Sequence, residues 1–312
     1  MTYSIIARDP DTGAVGATGQ SHFFNAGAHV FFAEAGVGIV AAQMMPEPTN
    51  GARALALLRG GTSAEETLRN LRAADPAAGL RQTAIVTVGG DAAAFTGAQC
   101  VAHSVHWVSD GVTAQSAMCR DPGIARAMVD AFQRATGPFA ERLLDALDAA
   151  ETLGGDWRGR KSASIVIVAD SASAPVPNGR VMDLRVEDHP DPLVALRRLV
   201  VTHRFHARAG EALGLALGGR VADALEGFDV LEHEDADEPD VAFRHALALV
   251  MSGAVERARE RLEVCYQLNE GWRSLVERLP AAGLIPDDPR VLDILLAPRA
   301  VGVGSAEGRL SR

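Results

Sequence analysis

The order of strand-like and helix-like segments constrains the fold of this 312-residue chain more than any other feature. Two hairpin-like strand pairs precede two amphipathic helices, and the same order then occurs a second time. A last strand pair and one helix follow. Strands that come in pairs with short turns are typical of antiparallel sheets. The first two thirds of the chain are therefore expected to form an α+β domain.

Turn sequences separate the predicted strands. Residues 8–13 contain the Pro, Asp and Gly of a hairpin turn, and Asp110-Gly111 marks another turn. The apolar run 164–168 is typical of a central strand that is buried on both faces. The predicted strands are 2–7, 14–20, 28–33, 38–42, 83–88, 92–96, 104–108, 112–115, 162–169 and 181–186.

A helical period of apolar residues follows each group of strands. In the first helical segment Ala54, Leu55 and Leu58 lie on one face, and Ser63 with Glu66 forms a capping box for the second. The predicted helices of this domain are 46–58, 63–74, 123–136, 138–153 and 192–208.

The last third of the chain repeats itself at an offset of 34 residues, which is the tetratricopeptide (TPR) period. The offset pairs Ala212 with Ala246 and Gly219 with Gly253, and it also pairs Ala224 with Ala258. Small residues let helices cross closely, so we expect a small all-α TPR-like domain at 209–298, after a first domain at 1–208. Two repeats are fewer than an independently stable helical array needs. We therefore expect the repeats to pack against the first domain or a partner.

Two further segments of this region have a distinct composition. Residues 229–240 hold seven acidic side chains and are expected to be a solvated loop rather than a cation or partner site. The tail at 299–312 is rich in Gly and Ser and is expected to be flexible.

Charge and hydropathy exclude several classes of protein. Forty acidic and 30 basic residues give a formal charge of −10, which argues against a nucleic-acid partner. No apolar run approaches the roughly 20 residues of a membrane-spanning helix, and the first residues lack a signal-peptide pattern. We therefore expect a cytoplasmic protein without a membrane partner.

The sequence indicates neither a cofactor nor a metal. The glycines of Gly36 to Ala41 match a loose dinucleotide fingerprint but open a strand, where that fingerprint needs a following helix. The histidine pairs at 103/106 and 203/206 are expected on element surfaces rather than as metal ligands. Cys100 and Cys119 have no helix N-terminus to activate them, so we expect packing thiols.

Thr2 is a candidate nucleophile because of its position. It follows the initiator Met1, and Met before a small residue such as Thr is expected to be removed. Thr2 would then carry a free α-amine with a pKa of about 8, which can take the proton of its own hydroxyl.

The chain resembles N-terminal-nucleophile (Ntn) hydrolases in the order of its elements and proteasome-type subunits in its first strands. The segments that resemble those strands are Thr2 to Asp9, Gly13 to Ala17 and His29 to Gly38. It resembles more closely a prokaryotic family of uncharacterised Ntn-hydrolase-like proteins, the domain of unknown function 1028, over about residues 1–208. The phrases that carry this resemblance begin at Ser4, Ala33, Ala93, Gly154 and Val181.

The resemblance implies a four-layer αββα sandwich and a set of site residues. Thr2 would be the nucleophile, and His29 falls where related enzymes have a supporting lysine. An imidazole with a pKa of about 6.5 is only partly charged at neutral pH and stabilises an ionised hydroxyl less. Ser21 and its neighbour His22 would take the place of an expected acid, and the Gln43 amide would hold an oxyanion together with backbone amides.

Three more residues fall where the fold places supporting polar groups: Ser116, Asp156 and Arg160. Asp156 and Arg160 are also open to interpretation as a structural ion pair.

These expectations are compatible with two functions. One is an amidohydrolase that cleaves a small-molecule or peptide amide through Thr2. The other is an Ntn-type scaffold with weak or lost chemistry, whose helical repeats bind a peptide or a cell-wall fragment. Some members of the family carry a C-terminal segment described as peptidoglycan-binding, which corresponds to about residues 215–295. Homo-oligomerisation stays open.

Overall fold

A computed structural model describes residues 2–174 and 176–298. The removal of Met1 and the flexibility of the tail at 299–312 therefore concern residues outside this description. The chain divides into two compact units, Met1–Val201 and Thr202–Arg312, which are described separately. The domain ranges inferred from the sequence stay predictions.

The first unit contains two antiparallel sheets. A six-stranded sheet has the order β10-β9-β2-β1-β8-β7, and a four-stranded sheet has the order β3-β4-β5-β6. Turn residues in the left-handed region, such as Gly13 at φ 73° and Gly111 at φ 64°, close the hairpins β1-β2 and β7-β8. The strands are β1 Thr2–Arg8, β2 Val15–Ser21, β3 Phe31–Glu34, β4 Gly38–Met44, β5 Arg81–Thr87, β6 Ala92–Thr96, β7 Val105–Ser109, β8 Val112–Ser116, β9 Ser162–Val168 and β10 Arg180–Val186.

Helices cover the outer faces of both sheets. The α4 and α5 helices pack on the six-stranded sheet, and α2 and α3 pack on the four-stranded sheet. Ser63 caps α3, since its hydroxyl accepts a hydrogen bond from the Glu66 amide at 3.2 Å. The helices are α1 Gly27–Val30, α2 Asn50–Arg59, α3 Ala64–Ala74, α4 Ile124–Arg134, α5 Phe139–Thr152 and α6 Pro192–Leu217, which contains the boundary between the two units.

The space between the sheets is filled from both sides. Ile6 of β1 and Val166 of β9 meet Ile39 of β4 and Val86 of β5 there, and all four are buried. Because side chains alternate along a strand, these positions also fix which residues further along β1, β4 and β5 face the same space.

The prediction of a strand at 28–33 is wrong in its first half. Residues Gly27–Val30 form the short helix α1, and the strand begins only at Phe31. Asn25 at φ 51° turns the chain, and Gly27 packs so tightly that a Cβ there would lie 2.3 Å from the Ser164 hydroxyl. A short apolar run fits either a helix or a strand, so these contacts decide between them.

The second unit is helical. Gly219 and Gly253 have φ of 85° and 83° in the turns before α7 and α9, and the four paired alanines at 212, 224, 246 and 258 are at most 4% exposed. Its further helices are α7 Val221–Glu234, α8 Pro239–Met251, α9 Val255–Leu268, α10 Gly271–Val276 and α11 Pro289–Leu296.

The acidic stretch 229–240 is not the loop that the sequence predicted. Most of it belongs to the end of α7 and the start of α8. Burial of Leu231 holds that helix end against the core, and Arg208 and Arg261 form ion pairs with Glu234 and Glu232 at 2.7 and 3.0 Å. These guanidinium groups reduce the repulsion that would otherwise unwind an acidic helix.

In the described ranges, none of the helices combines the length and the apolar character that crossing a membrane requires.

Candidate functional site

Thr2 begins the central strand of the six-stranded sheet. It lies between β2 and β8, is 5% exposed, and stands opposite Ser21 in the β1-β2 register. Its carbonyl oxygen accepts hydrogen bonds from the Ala117 amide at 3.2 Å and from Gln43 Nε2 at 2.9 Å. The main chain at Thr2 is therefore held from two directions.

A cavity of about 270 Å³ opens beside Thr2. The structure thus brings together Thr2, His29 and Gln43, which the sequence had placed in one site. The lining residues are Thr2, Phe23, Ala26, His29, Val30, Ala42, Gln43, Met44, Met45, Pro46 and Arg158.

The side-chain amide of Gln43 is fully engaged in hydrogen bonds. Its Nε2 donates to the Thr2 carbonyl at 2.9 Å and to Gln82 Oε1 at 2.6 Å, while its Oε1 accepts from the Ser4 hydroxyl at 2.9 Å. An amide nitrogen has two protons, and both are used. Gln43 therefore positions Thr2, and the predicted role as oxyanion donor does not fit this arrangement.

The network continues from Gln82 to β6 of the same sheet and to β7 and β8 of the six-stranded sheet. Gln82 Nε2 lies 3.0 Å from Thr96 Oγ1 and 3.2 Å from the Ser116 carbonyl, and the Thr96 hydroxyl lies 2.8 Å from His106 Nδ1. Burial lowers the pKa of His106, which favours its neutral form. Hydrogen bonds among neutral polar groups thus fix the orientation of the Gln43 side chain.

Ser21 holds the segment that carries the cavity wall. Its hydroxyl accepts a hydrogen bond from the Phe23 amide at 2.9 Å. Ser162, opposite Ser21 in the β2-β9 register, donates to the Phe23 carbonyl at 2.7 Å and accepts from the Ala26 amide at 3.2 Å. The two serines fix the turn that leads to His29.

His29 lies on α1 with its side chain exposed. Its ring meets the edge of Phe23 at a centroid distance of 6.3 Å. The histidine therefore borders the cavity from a helix and not from the strand that the sequence predicted.

Ser116 lies on the other face of the sheet. It stands opposite Tyr3 in the β1-β8 register, so its side chain and that of Tyr3 share the face toward the helices, away from Thr2. Within the described residues its hydroxyl is buried without a hydrogen-bond partner. The alternation of β8 thus turns the Ser116 side chain away from Thr2, and its role as a supporting polar group stays a prediction.

Asp156 and Arg160 do not pair with each other as the sequence suggested. Asp156 pairs with Arg158, whose Nη2 lies 2.6 Å from Asp156 Oδ2. Arg160 instead lies 2.9 Å from Glu151 and 3.5 Å from Asp191. Burial of Asp156 is the largest cause that raises its pKa, to about 6.

Sequence reasoning missed Arg158, which lines the cavity. It lies in the phrase Gly154 to Ala163 that carries part of the family resemblance, so the signal was present. The Asp156 carboxylate pairs with this guanidinium and is only 1% exposed, while the Arg158 side chain itself is 38% exposed.

Glu151 joins a second polar group on the helix side of the sheet. Gln20 Nε2 donates to Glu151 Oε1 at 2.8 Å, and the Tyr3 hydroxyl donates to the same carboxylate oxygen. Burial, followed by the charge of Glu151, raises the pKa of Tyr3 well above its ordinary value. Arg160 therefore belongs to a structural network behind β1.

The cysteines are packing residues. Cys119 and Cys265 are buried, and burial raises the pKa of Cys119 to about 12 and that of Cys265 to about 11. Thiols that ionise so poorly at neutral pH are weak nucleophiles.

Two groups in the second unit have the residue types of metal ligands. His206, Glu238 and Asp240 form one, and Asp229, Glu232 and His245 form the other, with their ligand atoms within 4.8 Å of one another. Arginines already neutralise the second group, because Arg261 and Arg257 lie 3.0 and 3.8 Å from its carboxylates.

Comparisons with known proteins agree with the resemblance seen in the sequence. The model of a family of unknown function, DUF1028, matches residues 2–196. A crystal structure of a Silicibacter pomeroyi protein assigned to DUF1028 is similar, with a TM-score of 0.58 and 30% identity, over 64% of this chain and 88% of that one. No curated protein matches the chain. By the extent of the family match, this chain belongs to the DUF1028 family of unknown function.

Proposed function

We propose that the first unit is an Ntn-type αββα hydrolase domain that cleaves an amide-type bond through Thr2. The observation that carries the proposal is the cavity that Thr2 shares with His29 and Gln43. A threonine at the start of a central strand, held by Gln43 and Ala117 through its carbonyl, has a fixed position relative to that cavity.

The proposed reaction uses the two functional groups of one residue. After removal of Met1, the Thr2 α-amine takes the hydroxyl proton, the hydroxyl oxygen attacks the amide carbon, and the amine gives the proton to the leaving nitrogen. Water then releases the acyl group from the Thr2 oxygen. Because both Gln43 protons are engaged, backbone amides are proposed to hold the oxyanion.

The test compares Thr2 variants on a panel of amide substrates. Thr2→Ala should abolish turnover, and Thr2→Ser should keep part of it. A form with Met1 retained should be as inactive as Thr2→Ala, because an amide nitrogen is not a base. Thr152→Ala, on the exposed end of α5, is the matched control and should leave the rate unchanged. Mass spectrometry of each preparation identifies its first residue.

His29→Lys adds a second, more specific test. A lysine ammonium at the cavity should lower the pKa of the Thr2 amine, and the rate optimum should move to lower pH. An unchanged pH profile would show that residue 29 does not influence the amine.

Two observations favour a second function. Among the described residues that line the cavity there is no lysine, and the second unit has helix pairs with buried alanines at a 34-residue spacing. In this alternative the TPR-like helices bind a peptide or a peptidoglycan fragment, and the first unit is a scaffold. Amide turnover that survives both Thr2→Ala and a retained Met1 would assign the activity elsewhere and favour this alternative.

A further inference from the structure

We infer that the Thr2 cavity takes the acyl side of its substrate and selects an uncharged, apolar acyl group. The inference rests on the proposed function, since it takes Thr2 as the residue that attacks the acyl carbon. The inference concerns the chemical class of the substrate.

The walls of the cavity are mainly apolar. Its inner part contains Val30, Ala42 and Met44, all at most 8% exposed. At its mouth Phe23 and Met45 are 57% and 53% exposed and present apolar surface to solvent. Apolar surface therefore continues from Thr2 to solvent, along the path that a hydrocarbon chain would follow.

The charges at the cavity disfavour a charged acyl group of either sign. Among the described residues that line it none is a carboxylate, so an ammonium would enter without a counter-ion. The one guanidinium among these described lining residues, that of Arg158, is already 2.6 Å from Asp156. The Asp156 carboxylate already accepts from Nε and Nη2 of Arg158, so a substrate carboxylate would have to share this guanidinium with a buried carboxylate.

Two methionines make the cavity tolerant of length. Met44 and Met45 have three rotatable side-chain bonds each, and such side chains adapt to irregular apolar ligands. We therefore expect several straight-chain acyl groups to be accepted, with charge as the main criterion for rejection.

The turnover experiment uses three 4-nitroanilides of equal chain length. They are the hexanoyl compound, its ω-amino derivative and its ω-carboxy derivative. The hexanoyl compound should be cleaved with a kcat/KM at least roughly 100-fold above the other two. Equal rates for the hexanoyl and ω-amino compounds would overturn the inference while leaving the proposed hydrolysis intact.

A matched pair of variants tests whether charge at the cavity determines which acyl group is preferred. Met45→Glu places a carboxylate at an exposed position of the mouth and should raise the rate on the ω-amino compound relative to hexanoyl by about tenfold. Met45→Gln has nearly the same shape without the charge and should keep the original preference. A change of preference that is equal in both variants would contradict the role assigned to charge.

Binding to Thr2→Ala separates this inference from the proposed function. Calorimetry measures hexanamide and its ω-amino derivative on the full-length variant, which has no attacking hydroxyl. Tighter binding of hexanamide, even if no anilide is turned over, supports the apolar cavity although the hydrolase proposal fails. Equal binding, or none of either amide, overturns the inference.

Discussion

The two ends of the space between the sheets differ in polarity although the same strands form both. At one end Ile6, Ile39 and Val86 are buried against one another. Four residues along each strand the same faces carry Thr2, Gln43 and Gln82, which are equally buried but polar. A polar group in such a place costs stability unless it is hydrogen-bonded. The contrast teaches that this end of the sheets is organised around Thr2, and not around packing alone.

The largest effect is expected at the apolar end. Ile39→Ala removes a fully buried side chain between the sheets and should lower the free energy of unfolding by about 2 to 5 kcal/mol. Urea unfolding followed by circular dichroism measures it. Because Ile39 is not a lining residue of the cavity, turnover per folded molecule should change little. A loss of turnover larger than the loss of folded protein would contradict the idea that the apolar end affects only stability.

The next effect belongs to the polar end. Gln43→Leu leaves the Ser4 hydroxyl and Gln82 Oε1 without their partner and should cost about 2 to 3 kcal/mol in the free energy of unfolding. It also removes a hydrogen bond to the Thr2 carbonyl. Turnover should therefore fall by more than the loss of folded protein accounts for. Gln43→Glu is the comparison, because it keeps the shape but loses the two donated hydrogen bonds. Unfolding and initial rates measured on the same samples decide the outcome.

A smaller effect depends on pH. The pKa of Asp156 is raised from 3.8 to about 6 in the folded protein, chiefly by burial. Its contribution to stability is therefore complete below the unfolded pKa and is lost as the pH rises through about 6. Compared with Asp156→Asn, the wild type should lose roughly 2 kcal/mol of unfolding free energy between these values.

The matched control for this measurement is Asp110→Asn in the exposed β7-β8 turn. Because this variant keeps Asp156, its unfolding free energy should fall over the same pH range as that of the wild type does. Parallel curves for the wild type and Asp156→Asn would show that Asp156 does not titrate as described.

The smallest effect is expected at Gln115. In the described structure its Nε2 donates to the Ser4 hydroxyl at 3.0 Å, while its Oε1 is buried without a partner. Gln115→Met removes both the hydrogen bond and the unsatisfied acceptor and should change stability by less than about 1 kcal/mol. A loss as large as that of Gln43→Leu would mean that the whole polar end, and not Gln43 in particular, carries the stability.

The sequence predicted most strands, because turn residues and apolar runs are local signals. It placed Thr2, His29 and Gln43 together through the family resemblance. It could not show that Gln82 and Ser4 engage the Gln43 amide. The contact with Gln82 depends on the β4-β5 register, and the contact with Ser4 forms only when the two sheets pack. The sequence also could not show which face of the sheet carries Ser116, because that depends on the register of β8 with β1. The sequence did not predict the helix at 27–30, because its conformation depends on the close approach of Gly27 to Ser164.

The central position of β1 also has a consequence for the order of events during synthesis. The strand pairs on one side with β8, where Tyr3 stands opposite Ser116. Its second partner therefore leaves the ribosome only after more than a hundred residues have been made. Until then the start of the chain lacks half of its backbone pairing, and such long-range pairing forms slowly. A methionine aminopeptidase that acted in this interval would meet an extended chain end, before Thr2 becomes enclosed between β2 and β8.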